Sequence, residues 1–231
     1  MSARYAVYFC PAIASPWWQF GAHWLGRDES VDEDLQQPLL AQFNPDELWA
    51  LTASPRRYGF HATVKAPFHL SRGHTPDDLC ARLQALASTL QPVAPGPLHA
   101  VQLGNFVALT PVTPPVELST LAASCVIELD DLRAPLTPAD LARRQTVPLD
   151  AREQELLLQY GYPHVLERYQ LHFTLSGPIA NDRAQQVLQA VADPVAQLNQ
   201  TAPLMLDRLC LFEEPAPGQP FRRIADVELG A

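Results

Sequence analysis

Apolar positions along the chain recur with two periods, and these divide it into strands and helices. The opening run RYAVYF alternates from residue to residue as a strand does, and the following SPWWQFGAHWLGRD begins with a Ser-Pro helix-start signal. NPDELWALTASP predicts a second short helix or turn ending before Pro55, and RRYGFHATVKAPFHL, residues 56–70, predicts a strand. TPDDLCARLQALASTL is an amphipathic helix with Thr75 as N-cap, Pro76 in its first turn, and Asp77 and Asp78 at the positive end of its dipole. LHAVQLGNFVALTPV gives two short strands around the tight-turn pair Gly104-Asn105. Helices follow after Pro115, after a Thr137 cap with Pro138, and from Asp150 to a stop at Gly161 and Pro163. ERYQLHFTLSGPI predicts another strand, Asn181 caps another helix, and PLMLDRLCLFEEP with FRRIADVEL forms a final strand pair.

Two segments share a motif at a constant offset. His61, Thr63 and Pro67 correspond to His172, Thr174 and Pro178. Each His-x-Thr stands in a strand, followed by a proline stop, a capped helix and a strand pair. This order predicts an α+β fold with mainly antiparallel sheet. It is read as two pseudo-symmetric β-α-β-β lobes around a central cleft. The lobes lie at about residues 1–110 and 165–231 of a single domain and are joined by a helical stretch.

Residues i and i+2 of a strand point to one face, so His61 and Thr63 project together while Phe60, Ala62 and Val64 enter a core. The second copy repeats this, with Leu171, Phe173 and Leu175 inward. Two imidazoles and two hydroxyls facing one cleft suit a phosphodiester. One neutral imidazole takes a proton, the other as imidazolium gives one to the leaving oxygen, and the hydroxyls donate to phosphate oxygens. Such chemistry requires no metal and no cofactor. No carboxylate or cysteine stands in either motif to complete a metal site.

Lys65 shares the alternation of His61 and Thr63 and is expected to hold a phosphate oxygen, with Ser176 as its counterpart. Tyr58 either reaches the cleft or packs at a strand edge. YGYPHVLERY, residues 160–169, is either a lid or a packed helix end. Arg143, Arg144 and Arg168 are candidate anion contacts, although the default reading of each is a surface charge. Trp17, Trp18 and Trp24 have helical spacing and are assigned to the core, and the remaining histidines, His69 and His164 among them, show no pairing and are treated as non-catalytic.

A chain of 231 residues with 47% hydrophobic and 18% charged positions can bury a core without disulfides, metal or a partner chain. A net charge of -9 disfavours extended binding to nucleic acid or anionic membrane, yet residues 48–76 hold no Asp or Glu while carrying Arg56, Arg57, Lys65 and Arg72. That points to a local pocket for a small anion. The four cysteines form no Cys-x-x-Cys and are read as buried thiols, and the N-terminal apolar run is too short to span a bilayer, so a cytoplasmic protein is expected.

The paired His-x-Thr motifs resemble those of the two-histidine (2H) phosphoesterase superfamily. The longer strings RRYGFHATVKAPFHL, FVAL, WLGRD and LARRQTVPLDAREQELLLQYGYPHVLERYQLHFTLSGPI are similar to one branch, described as phosphonate metabolism proteins encoded beside bacterial phosphonate-utilisation genes. The resemblance implies a metal-independent cyclic phosphodiesterase with His61 and His172 as catalytic groups and Thr63 and Thr174 as substrate-binding hydroxyls. Its implied substrate is a small phosphate ester, such as a cyclic phosphate of ribose or a nucleotide, rather than RNA. The residues leave open which histidine is base and which acid. Hydrolysis, ligation in reverse, and a sensor that only binds a phosphorylated metabolite also remain open at this point.

Overall fold

The computed structural model describes residues 3–144 and 148–230, apart from the side chain of Arg143, so the suggested anion contact at Arg143 lies outside the described residues. In chain order the elements are β1 (Arg4–Phe9), α1 (Pro16–Leu25), the short pair β2 (Arg27–Asp28) and β3 (Glu33–Asp34), α2 (Pro45–Leu51), α3 (Ala53–Arg56), β4 (Ala62–Phe68), α4 (Pro76–Ala87), β5 (Leu98–Leu103), β6 (Phe106–Pro111), α5 (Val116–Glu128), α6 (Pro138–Arg144), α7 (Ala151–Tyr160), β7 (Phe173–Thr174), α8 (Asn181–Thr201), β8 (Arg208–Glu214) and β9 (Arg222–Glu228). The fold is α+β, and its main sheet is antiparallel with the order β5-β6-β7-β4-β1-β8-β9.

The caps follow the sequence closely. Ser15, Thr75 and Asp150 each accept a hydrogen bond from the backbone N–H three residues on, and Thr137 does the same for Asp140. Asn181 departs from expectation. Ala180 is the extended residue before α8, and the Asn181 side chain instead accepts from Gln102 Nε2 at 2.8 Å.

The second motif strand is also much shorter than predicted, and the reason is local. Leu175 N–H still bonds Val107 O, but Ser176 Oγ takes the Val107 N–H and the N–H of Gly177 bonds Leu51 O, so regular pairing ends after Thr174.

Alternation along the strands separates two apolar clusters. Tyr5, Val7, Phe9, Phe60, Ala62, Val64, Leu171, Phe173, Leu175, Leu209 and Leu211 face the main core with Trp17 and Trp24. Trp18 is buried as well, its indole donating to Glu29 Oε1. Trp17 and Trp24 also donate indole N–H bonds to Ala202 O and Leu175 O, which fixes α1 against the sheet. On the opposite sheet face Ala6, Tyr8, Cys10, Cys210, Phe212 and Phe221 form a smaller cluster. Cys10, Cys125 and Cys210 are buried free thiols, whereas Cys80 is only half-buried. Among the described residues no helix is long and apolar enough to cross a membrane.

Candidate active site

β4 and β7 are neighbours in one sheet, so the two motifs meet side by side rather than across a gap between separate sheets. Their antiparallel register pairs Ala62 with Phe173, both fully buried on the core side. The flanking positions therefore set His61 beside Thr174 and Thr63 beside His172, all four on the opposite face. The sequence repeat thus becomes a compact quartet.

Both imidazoles are held in the same way. His61 Nδ1 lies 2.9 Å from Gly59 O and His172 Nδ1 lies 2.9 Å from Gln170 O. A carbonyl only accepts, so each Nδ1 carries the hydrogen and each Nε2 is left as the acceptor of a neutral ring. Thr63 Oγ1 is 3.4 Å from His61 Nε2, and the His61 ring rests on Tyr8 with centroids 4.0 Å apart.

Burial pushes the His61 imidazole down to about 4, the Gly59 carbonyl partly opposing this and the nearby charge of His172 adding to it. His172 is likewise lowered, by burial first, with Gln170 O opposing and His164 adding. Both rings are thus neutral acceptors in the free protein at pH 7.

A cleft of about 1030 Å³ is lined by His61, Thr63, Thr174, Tyr8 and Tyr58, and the half-buried His172 ring lies by Phe106, with ring centroids 6.0 Å apart. Tyr58 stacks on Phe221 at 5.0 Å and lies 5.9 Å from His61, which resolves its position in favour of the cleft. Arg4 and Arg57 also line the cleft and both bind the buried Glu214 carboxylate. Burial alone would raise the Glu214 carboxyl, but Arg4, the Gly218 N–H and Arg57 outweigh it and hold the group below its ordinary value. The lining also includes Arg144, which donates to Pro67 O at 2.9 Å, and the segment Tyr162–Pro163–His164.

Lys65 is not in this cleft. Between the pairs Tyr8–Thr63 and Val7–Lys65, β4 carries one more residue than β1, and this bulge turns Lys65 to the core side with Val7. There its ammonium donates to Val126 O at 2.9 Å and to Asp130 Oδ1 at 3.1 Å. Ser176 is buried and donates to Gly177 O.

Of the acid-free window, Arg57 alone among its four cations reaches the wall. Arg56 covers the Trp49 ring and Arg72 is exposed. Arg168 pairs with Asp150 on the surface. Residues 160–169 are a packed helix end from which Tyr162 and His164 reach the cleft. Arg4 and Tyr8 escaped the sequence reading, although the i, i+4 spacing in RYAVYF places them on one strand face. Nothing local in the sequence assigns that face to a cleft rather than to solvent.

Similar proteins give this geometry a family. The chain is 38% identical over 221 residues to "Ribose 1,5-bisphosphate phosphokinase PhnN" of Janthinobacterium sp. (strain Marseille), a match covering 94% of this chain and 49% of that protein. It is 36% identical over 221 residues to the protein of the same name in Laribacter hongkongensis (strain HLHK9), covering 95% of this chain and 50% of that one. The chain therefore spans about half the length of the curated relatives it matches. A family profile matches residues 63–222, and the chain belongs to that family, described as a protein of unknown function, DUF1045.

Proposed function

We propose that the chain is a two-histidine phosphoesterase that opens a cyclic phosphate on ribose or a small ribose derivative, in the service of phosphonate metabolism. The observation that carries this reading is the quartet itself: two imidazoles, each held at Nδ1 by a backbone carbonyl and each beside the hydroxyl of the other motif, on one sheet face from which His61, Thr63 and Thr174 line a cleft.

In this mechanism His61 is the base, since it is neutral and its Nε2 accepts. Water forms a bond to phosphorus as its proton passes to His61 Nε2. The bond from phosphorus to the leaving ribose oxygen breaks, and His172, as imidazolium, gives a proton to that oxygen. An anionic phosphate lying between the rings favours that protonated form. Thr63 and Thr174 donate to the non-bridging oxygens, where charge accumulates. The proton taken by His61 then returns to His172 through solvent.

The name of the relatives speaks of a kinase acting on ribose 1,5-bisphosphate, and it applies to proteins twice this length. A phosphate loop of the Gly-x-x-x-x-Gly-Lys-Ser/Thr type is missing from this sequence. Its one lysine, Lys65, is buried on Asp130 away from the cleft. These features favour placing kinase chemistry in the other half of the relatives and ring opening in this one. Hydrolysis of a ribose 5-phosphate 1,2-cyclic phosphate at the bond to O2 yields ribose 1,5-bisphosphate, so the two halves would act in succession.

The test is turnover of ribose and nucleoside cyclic phosphates in the presence of EDTA by wild type, His61→Ala and His172→Ala. Loss of roughly 10²–10⁴-fold in kcat in each variant is expected. Equal activity in all three proteins would overturn the two-histidine mechanism, and phosphorylated ligands that bind all three equally without turning over would leave the cleft as a sensor.

A further inference from the structure

Arg4 and Arg57 form a feature of the cleft that the ring-opening chemistry does not use. Arg4 comes from the first strand and Arg57 from the turn before β4, yet both guanidinium groups close on one carboxylate, Glu214, whose side chain is fully buried. Two cations on one anion leave a net positive charge at this wall.

Their donors are only partly used. Arg4 binds Glu214 through Nε, and Arg57 binds Gln219 O through Nε and Glu214 through Nη2. Both nitrogens of the Arg4 fork and Nη1 of Arg57 have no partner among the described residues, and none of them is a buried orphan. They are therefore accessible, on two residues that line the cleft. Each guanidinium also lies by the Phe221 ring, 5.7 Å away for Arg4 and 5.8 Å for Arg57, which with the Glu214 clamp limits their motion.

Tyr58 bridges this wall and the quartet. Its ring centroid is 5.3 Å from Arg57 Cζ and 5.9 Å from the His61 centroid. A single small ligand can therefore present one group to His61 and another to the arginines.

We propose that Arg4 and Arg57 form a second phosphate site, which holds a non-reacting phosphomonoester while the quartet works on the cyclic phosphate. Arginine forks match a terminal phosphate dianion, and fixed donors already oriented by Glu214 lose little freedom on binding it. The inference rests on the phosphoesterase reading in assigning the cyclic group to His61 and His172. It narrows the substrate to a ribose cyclic phosphate bearing a second, terminal phosphate.

Two measurements separate the two claims. In the first, ribose 5-phosphate, inorganic phosphate and ribose are titrated calorimetrically into wild type, Arg4→Gln, Arg57→Gln and Arg57→Lys, each checked by circular dichroism. Ribose 5-phosphate is expected to bind wild type, to bind both glutamine variants at least about 10-fold more weakly, and to bind Arg57→Lys with intermediate affinity, because lysine keeps the charge on Glu214 but loses the fork. Binding that does not change among the folded variants overturns the second site, whatever the turnover results.

In the second, kcat/KM is compared for ribose 1,2-cyclic phosphate with and without the 5-phosphate. The wild-type preference for the phosphorylated form is expected to lie mainly in KM, to collapse in Arg57→Gln and to shrink to an intermediate value in Arg57→Lys. A preference that persists in both variants overturns the site. If neither cyclic phosphate turns over while ribose 5-phosphate binding still depends on the arginines, the second site stands and the phosphoesterase reading falls.

Discussion

His61 donates its Nδ1–H to the carbonyl of Gly59, two residues earlier and 2.9 Å away. Gly59 has φ +76, and a Cβ there would lie 2.6 Å from the Glu29 Cβ. Glycine is thus required twice, by the left-handed backbone and by the buried Glu29 behind it. Gly59→Ala is expected to cost at least about 1–2 kcal/mol in stability from the backbone alone. It should also lower kcat by more than its effect on folding, since it moves the carbonyl that fixes the His61 tautomer. Denaturant titration combined with kinetics of the folded fraction checks both.

The acid–base roles have a pH signature. For kcat/KM, which reports the free protein, the acid limb follows His61 at about 4, and the alkaline limb follows His172, which is also lowered from 6.5. The optimum should therefore lie between about 4 and 6.5. The alkaline limb of kcat should move upward, because bound phosphate favours the imidazolium. Stability has the same origin: in this range the unfolded chain binds the His61 proton and the folded chain does not, so stability falls as pH drops from 6.5 towards about 4. NMR titration of labelled imidazoles, with and without His61→Gln, measures these shifts directly.

Thr63 and Thr174 are assigned to the non-bridging phosphate oxygens. Thr63→Val and Thr174→Val keep the side-chain shape and remove the donor, and each should reduce kcat by about 10²-fold, the scale for one donor to a developing oxyanion. An effect confined to KM would mean that the hydroxyls bind ground state and transition state alike.

Lys65 supplies a contrast. It is buried with Asp130 and Val126 O outside the cleft, so Lys65→Met should leave kcat/KM within about 3-fold of wild type, and the partly exposed Asp130 keeps both hydrogen bonds from Arg133. Asp130→Ala strands the ammonium and should destabilise the fold by roughly 2–4 kcal/mol, below the range for a fully buried pair because Asp130 is partly exposed. A large KM rise in Lys65→Met would restore the phosphate-binding role suggested by strand alternation.

Lys65 also illustrates what sequence conveyed about this site and what it did not. Alternation placed His61, Thr63, His172 and Thr174 opposite Ala62 and Phe173, because a strand's period is fixed by the backbone. It failed two residues further on, where the bulge against Val7 shifts Lys65 to the core side, and nothing in TVKAP marks that extra residue. Caps such as Thr75 and Asp150 were legible because their hydrogen bonds are local. The single sheet was not, since the pairing of β4 with β7 is a long-range choice made by the packing of Phe60 on Phe173, 4.8 Å apart. Arg4 belongs with that non-local part, for its role depends on Glu214, 210 residues away.

The most direct test of the central claim is hydrolysis of ribose 5-phosphate 1,2-cyclic phosphate in 18O-enriched water, followed by phosphorus NMR, with wild type and the His61→Ala His172→Ala double variant. The account predicts that wild type forms ribose 1,5-bisphosphate with one 18O in the newly opened phosphate and none in the 5-phosphate, and that the double variant forms none above the uncatalysed rate. Label in the 5-phosphate, or undiminished turnover without the two imidazoles, would contradict it.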